Sequence, residues 1–159
     1  MIRLSSTVAR LRSGPVRPGL SHAFVLARIA TAGFFMAHAA TRIANGTIPR
    51  FGAFLENLGF AEGGSVVWAI TVVELVAGSL LIVGRLVVPA SAALFCIALG
   101  GIVLIHAPKG WFVGEHGAGG AEYSVALMVL LTLIAAEAAT RHKRYRGLEH
   151  DPSILPTPQ

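Results

Sequence analysis

Long apolar runs, interrupted by short polar stretches, set the pattern of the chain. Four of them approach the ~20 residues that a helix needs to cross the hydrocarbon of a bilayer. They run from about Ala23 to Ala44, Ser65 to Val83, Leu86 to Ala107 and Ala121 to Ala139. The second, SVVWAITVVELVAGSLLIV, holds one charge, Glu74; the third carries Pro89 in its first turn, where a missing N–H is tolerated. Gly84-Arg85 is the whole link between these two, which predicts a tight antiparallel hairpin. Between the first and second runs, Phe51, Phe54, Leu55 and Leu58 fall at i, i+3, i+4 and i+7, the spacing of a short amphipathic helix lying at the interface. The expected fold class is therefore all-α: a polytopic membrane protein, a four-transmembrane-helix antiparallel bundle with a short amphipathic helix in its first outer loop. Residues 1–21 read as a disordered basic tail, 22–140 as the transmembrane domain, and 141–159 as a basic and then proline-rich tail.

Composition agrees with lipid as the solvent. Only 13% of the 159 residues are charged, about half of what a soluble domain uses to cover its surface. The net charge of +5 is concentrated at the chain ends, which excludes a broad nucleic-acid-binding face. The single cysteine, Cys96, excludes an internal disulfide framework or a dithiol relay. Ala37-His38-Ala39 mimics a signal-peptidase site, but Arg28 inside the run and the long segment before it argue against cleavage. Nine basic residues flank the spans on one side (Arg3, Arg10, Arg12, Arg17, Arg85, Arg141, Lys143, Arg144, Arg146) and three on the other (Arg42, Arg50, Lys109). The positive-inside rule then puts both termini in the cytoplasm and both long loops outside.

Five ionisable residues inside or bordering the spans need an explanation: Arg28, His38, Glu74, His106 and Glu122. Each costs roughly 2.5–3.5 kcal/mol at mid-bilayer, so such groups usually face the bundle interior in pairs. At about 100° per residue, Arg28, Thr31, His38 and Arg42 share an arc of about 80° on the first helix. Glu74 is near the middle of the second, with Gly78 one turn on, where a small residue lets a neighbour approach. Counting rise per residue puts Arg28 and His38 each about 7 Å from the level of Glu74, so both are candidate partners. His106 ends the third span and Glu122 begins the fourth; the loop between them brings Trp111, Glu115 and His116 to the same rim. One outward-opening polar pocket lined by His38, Glu74, His106 and Glu122, with Arg28 below, accounts for these placements. The alternatives are local: Arg28 snorkelling to the interface, His38 bonding a neighbouring helix, and His106 and Glu122 as ordinary interfacial residues. Glu137 and Arg141 form an i,i+4 pair and need no further role.

The segments LARIATAGFFMAHAATRI, VVELVAGSLLIVGRLVVPASAALF and HAPKGWFVGEHGAGGAEYSVALMVLL, in that order, resemble the DoxX family. The resemblance runs from about Leu26 to Ala139, and Arg28, His38, Glu74, His106 and Glu122 match its recurrent polar positions. It implies a multi-pass protein of the bacterial inner (plasma) membrane. Relatives include a small subunit of a thiosulfate:quinone oxidoreductase and anchors of a redox-stress complex with superoxide dismutase and a sulfurtransferase. No uniform activity or catalytic residue carries over. The basic N-terminal and proline-rich C-terminal segments depart from the family pattern.

Three functions compete. The first is a membrane subunit of an oxidoreductase system that binds quinone or relays protons, with His38 and Glu74 as hydrogen-bonding and protonatable groups and Arg28 stabilising negative charge. Electrons would then come from soluble redox enzymes, since a b-type haem between His38 and His106 is disfavoured by their different depths and no metal site is expected. The second is a non-catalytic scaffold that anchors soluble partners. The third is a small transporter, for which four helices suffice only in a homo-oligomer.

Overall fold

The computed structural model describes residues 18–113 and 119–149. Five α-helices carry these residues: α1 Pro18–Ala44, α2 Ile48–Asn57, α3 Gly63–Val83, α4 Val87–Gly101 and α5 Glu122–Glu149. Beyond α4 the chain continues as a π-helical turn, Ile102–His106, and a 3-10 turn, Ala107–Lys109. Among the described residues, four helical stretches are long and apolar enough to cross a membrane: Gly19–Ala44, Gly63–Val83, Val87–Lys109 and Glu122–His142. The first span thus starts a turn earlier than the hydropathy pattern suggested, with Pro18 at the helix start, where its ring is compatible with helical geometry. The basic segment after the fourth span continues as helix to Glu149. The disordered tail expected over residues 1–17 and the proline-rich end over 150–159 lie outside the described residues.

The spanning helices pack as a ring in which α1 touches α3, α3 touches α4, α4 touches α5 and α5 closes on α1. Their inward faces follow directly from side-chain size. On α3, Val67, Thr71, Glu74, Gly78 and Leu81 are buried at alternating steps of four and three residues, while Trp68, Val72, Val76 and Val83 on the opposite face are exposed. An apolar outward stripe with a partly polar inward one is the reverse of a soluble helix and suits lipid. The main core, built on Ala32, Phe35, Leu81, Leu94, Leu131 and Ile134, fills the half of the bundle next to the α3–α4 hairpin. A smaller core of Ile48, Leu55 and Val67 fixes α2 to the other end.

Two close approaches set the register of α1 against α3. A Cβ on Gly78 would lie 2.6 Å from Cγ of Met36, and one on Gly84 would lie 2.8 Å from an Arg28 guanidinium nitrogen. Gly84 also sits at φ 73°, closing α3 while the Arg85 N–H donates to the Leu80 carbonyl at 3.0 Å. Glycine is required there twice over, for the turn and for the arginine lying on it. At the opposite end the backbones of Gly52 and Gly63 meet directly, so α2 rests on the first turn of α3 without intervening side chains. Ile48, Gly52 and Leu55 are its buried residues, whereas Phe54 and Leu58 of the expected apolar stripe remain exposed.

Candidate functional site

The small core under α2 and the main core leave a cavity of about 630 Å³ between them. Its position follows from residue size: Ala98 on α4 and the glycine pairs Gly100-Gly101 and Gly119-Gly120 provide no bulk to fill it. The walls are mostly apolar, and His38, Arg42, Glu74 and His106 project polar groups from three different helical segments. Tyr123 and Ser124, from the first turn of α5, add two hydroxyls to the lining, and Tyr123 stacks edge-on against Phe34 of α1 at 5.8 Å.

Glu74 is 3% exposed, and its carboxylate accepts a 2.8 Å hydrogen bond from Nη1 of Arg42. The same nitrogen donates to Oγ1 of Thr71 at 2.7 Å, and that hydroxyl donates in turn to the Val67 carbonyl at 2.7 Å. Phe51 of α2 covers the guanidinium from the other side, its ring centroid 5.7 Å from Cζ. One arginine is thus held by a carboxylate, a hydroxyl and an aromatic face. Such multiple ligation is what an ion pair needs when it is withdrawn from water.

The sequence offers Arg28 and His38 as partners for Glu74, whereas in the structure Arg42 takes that place. The observed register explains the difference. With Arg28 against Gly84 and Met36 against Gly78, Arg28 is ten residues, about 15 Å, from the level of Glu74. His38 lies almost level with Glu74 but toward the cavity wall and exposed. Arg42, one turn further along, reaches back to close the pair. Arg28 lines no part of the cavity; it lies on the hairpin turn, half-buried, with Nε lacking a partner among the described residues.

His106 owes its place to the π turn. In a continuous α-helix it would fall about 80° from the buried Ala98; one residue inserted into the turn reduces this to about 20°. The i→i+5 bond from the Ala107 N–H to the Ile102 carbonyl makes that insertion. The imidazole folds back over Gly101, with Nδ1 buried and unpartnered among the described residues. No hydropathy pattern signals such a turn.

Glu122 is near the cavity but not part of its lining. Its Oε1 accepts the Val113 N–H at 3.1 Å, while the Glu122 and Ala121 N–H groups donate to the carbonyls of Trp111 and Gly110, each at 3.1 Å. It staples the loop to the start of α5, where a carboxylate also complements the helix dipole. Only an acceptor is required for this, so Glu122→Gln is expected to melt within a degree or two of wild type. Glu122→Ala is expected to lose about 1 kcal/mol, as read by thermal unfolding in detergent. A large loss in the Gln variant would mean that the charge itself matters. Trp111 contributes its backbone rather than its ring, which is exposed and absent from the cavity wall. Glu115 and His116, the other proposed rim residues, lie outside the described residues. Glu137 and Arg141 do form their i,i+4 ion pair.

The sequence puts Arg42 on the polar arc of the first helix without pairing it to Glu74, and gives no role at the site to Phe51 or Tyr123. The available signal was Arg42 itself, which shares one arc of the first helix with Arg28 and His38.

A family model described as DoxX matches residues 23–107 of the 159, from the first turns of α1 to the end of the π turn. The matched segment contains Arg28, His38, Arg42, Glu74 and His106; Glu122 and the glycine-rich loop lie beyond it. No curated protein and no solved structure matches the chain.

Proposed function

We propose, from the premise that the chain belongs to the DoxX family of integral membrane proteins, that it is a ligand-binding membrane subunit of an oxidoreductase or redox-stress system. The ligand class is a quinone. What carries this reading is the Arg42–Glu74 pair at the base of an apolar-walled cavity with His38 and His106 on its sides. The volume lies within the ~300–1,000 Å³ of small-molecule sites, and a few polar groups converging in an apolar pocket is their usual chemistry. A quinone ring is apolar across its faces and accepts hydrogen bonds at its two carbonyl oxygens. Guanidinium and imidazole N–H groups supply donors, and the histidines and Glu74 exchange protons. Conversion to the quinol takes up two electrons and two protons; the electrons would come from a soluble redox partner.

By the positive-inside rule the cavity lies at the outward end of the bundle of a bacterial inner-membrane protein. A second reading, a non-catalytic scaffold, draws support from α5, which runs past its spanning segment to Glu149 with a basic stretch suited to anionic lipid or an acidic partner.

The test is solvent extraction of protein purified in nanodiscs, with quinone quantified by chromatography. Near-stoichiometric quinone is expected in wild type. At least a tenfold loss is expected in His38→Ala and His106→Ala variants that retain the wild-type melting temperature. Absence of quinone from folded wild-type protein, with soluble enzymes co-purifying in every variant, would replace this reading with the scaffold.

A further inference from the structure

A second cavity, of about 570 Å³, opens between α2 and the end of α4. Phe51, Phe54, Leu58, Leu104, Ile105 and Pro108 make its walls, and Arg50 and Lys109 stand in its lining from opposite sides, one on α2 and one on the 3-10 turn. Among the described residues, no carboxylate lines it. Three arginine and lysine residues, Arg42, Arg50 and Lys109, occur at this end among the described residues. Glu74 neutralises Arg42, whereas the other two have no ion pair among the described residues and both border this one groove.

The depth of the groove identifies its occupant. Lys109 is the last residue of the third spanning stretch, and α1 ends at Ala44, just before α2. Arg50 and Lys109 are therefore at the boundary where hydrocarbon gives way to headgroups, while Leu104 and Ile105 lie a turn deeper. Two cations at headgroup level above an apolar trough are complementary to a molecule with an anionic head and an acyl chain. We infer that this groove is a binding site for an anionic phospholipid, its phosphate between Arg50 and Lys109 and one acyl chain along Phe54, Leu58, Leu104 and Ile105. Phe51, Leu104 and Ile105 also line the first cavity, so the bound chain would form part of the wall that separates that cavity from the bilayer. The site does not depend on what the first cavity holds.

Native mass spectrometry of the full chain, released from detergent with added phosphatidylglycerol or phosphatidylcholine, tests this directly. At least a fivefold preference for phosphatidylglycerol is expected in wild type, and its disappearance in an Arg50→Gln/Lys109→Gln variant. Arg85→Gln, at the opposite end of the bundle, should leave the preference unchanged. Soluble glycerol phosphate should not compete, because it lacks the chain. Equal binding of the two lipids by wild type, or a preference that survives in the double variant, would overturn the assignment. Competition by glycerol phosphate would reduce the site to a simple anion site and overturn it equally.

Discussion

Replacing Glu74 by Ala is expected to destabilise the bundle by about 3–5 kcal/mol, because it strands a buried guanidinium without its counter-charge. The loss should appear as a large drop in the midpoint of unfolding in mixed detergent micelles. Glu74→Gln should cost less, since the amide oxygen can still accept from Arg42 Nη1. Removing both partners at once, Arg42→Met with Glu74→Leu, should recover most of the stability, because well-packed apolar groups replace a pair that was expensive to desolvate. The coupling energy between positions 42 and 74 should fall at the upper end of the usual range, roughly 2–3 kcal/mol. Arg28→Met provides the contrast: its guanidinium lies on Gly84 rather than on Glu74, so its effect should simply add to that of Glu74→Ala. Coupling at 28 and none at 42 would refute the observed pairing and restore the partner inferred from the sequence.

That contrast shows how far the sequence could be read. The four spans were legible because lipid imposes a composition that no soluble domain of this size can use. The Gly84-Arg85 hairpin was legible because two residues leave one possible connection. Glu74 as an inward residue was legible for the same energetic reason, since a carboxylate facing acyl chains is too costly to persist. Its partner was not, because that depends on the axial register of two helices joined by a long connection, and residue counting from assumed span centres misplaced it by about one and a half turns of helix. Contacts at Gly78 and Gly84 set the register, and a glycine shows only that something may come close, not what. The π turn that aims His106 is likewise invisible to a pattern search, because Ile102, Val103, Leu104 and Ile105 read identically in either helix type. Glu122 lies outside the cavity lining, and its carboxylate holds the loop backbone, which hydropathy cannot reveal.

Gly63→Ala is expected to destabilise the protein by about 3 kcal/mol, the upper end for overpacking. A Cβ there would overlap the Gly52 carbonyl and lie 2.9 Å from Cγ of Glu56. The glutamate side chain can turn away, but the carbonyl is fixed within the short helix α2, so the whole helix has to move. Because α2 carries Phe51 and Leu55 over the first cavity, its displacement would remove the aromatic cover from Arg42 and open the site at that end. Two measurements should move together: a lower melting temperature, and faster tryptic cleavage after Arg50 in nanodiscs. Gly33→Ala, where a Cβ meets nothing within 4 Å, should be neutral or slightly stabilising, since alanine restricts the unfolded chain. If the Gly63 variant melted like wild type with Arg50 still protected, direct backbone contact would not be what seats α2, and the aromatic cover over the ion pair would need another anchor.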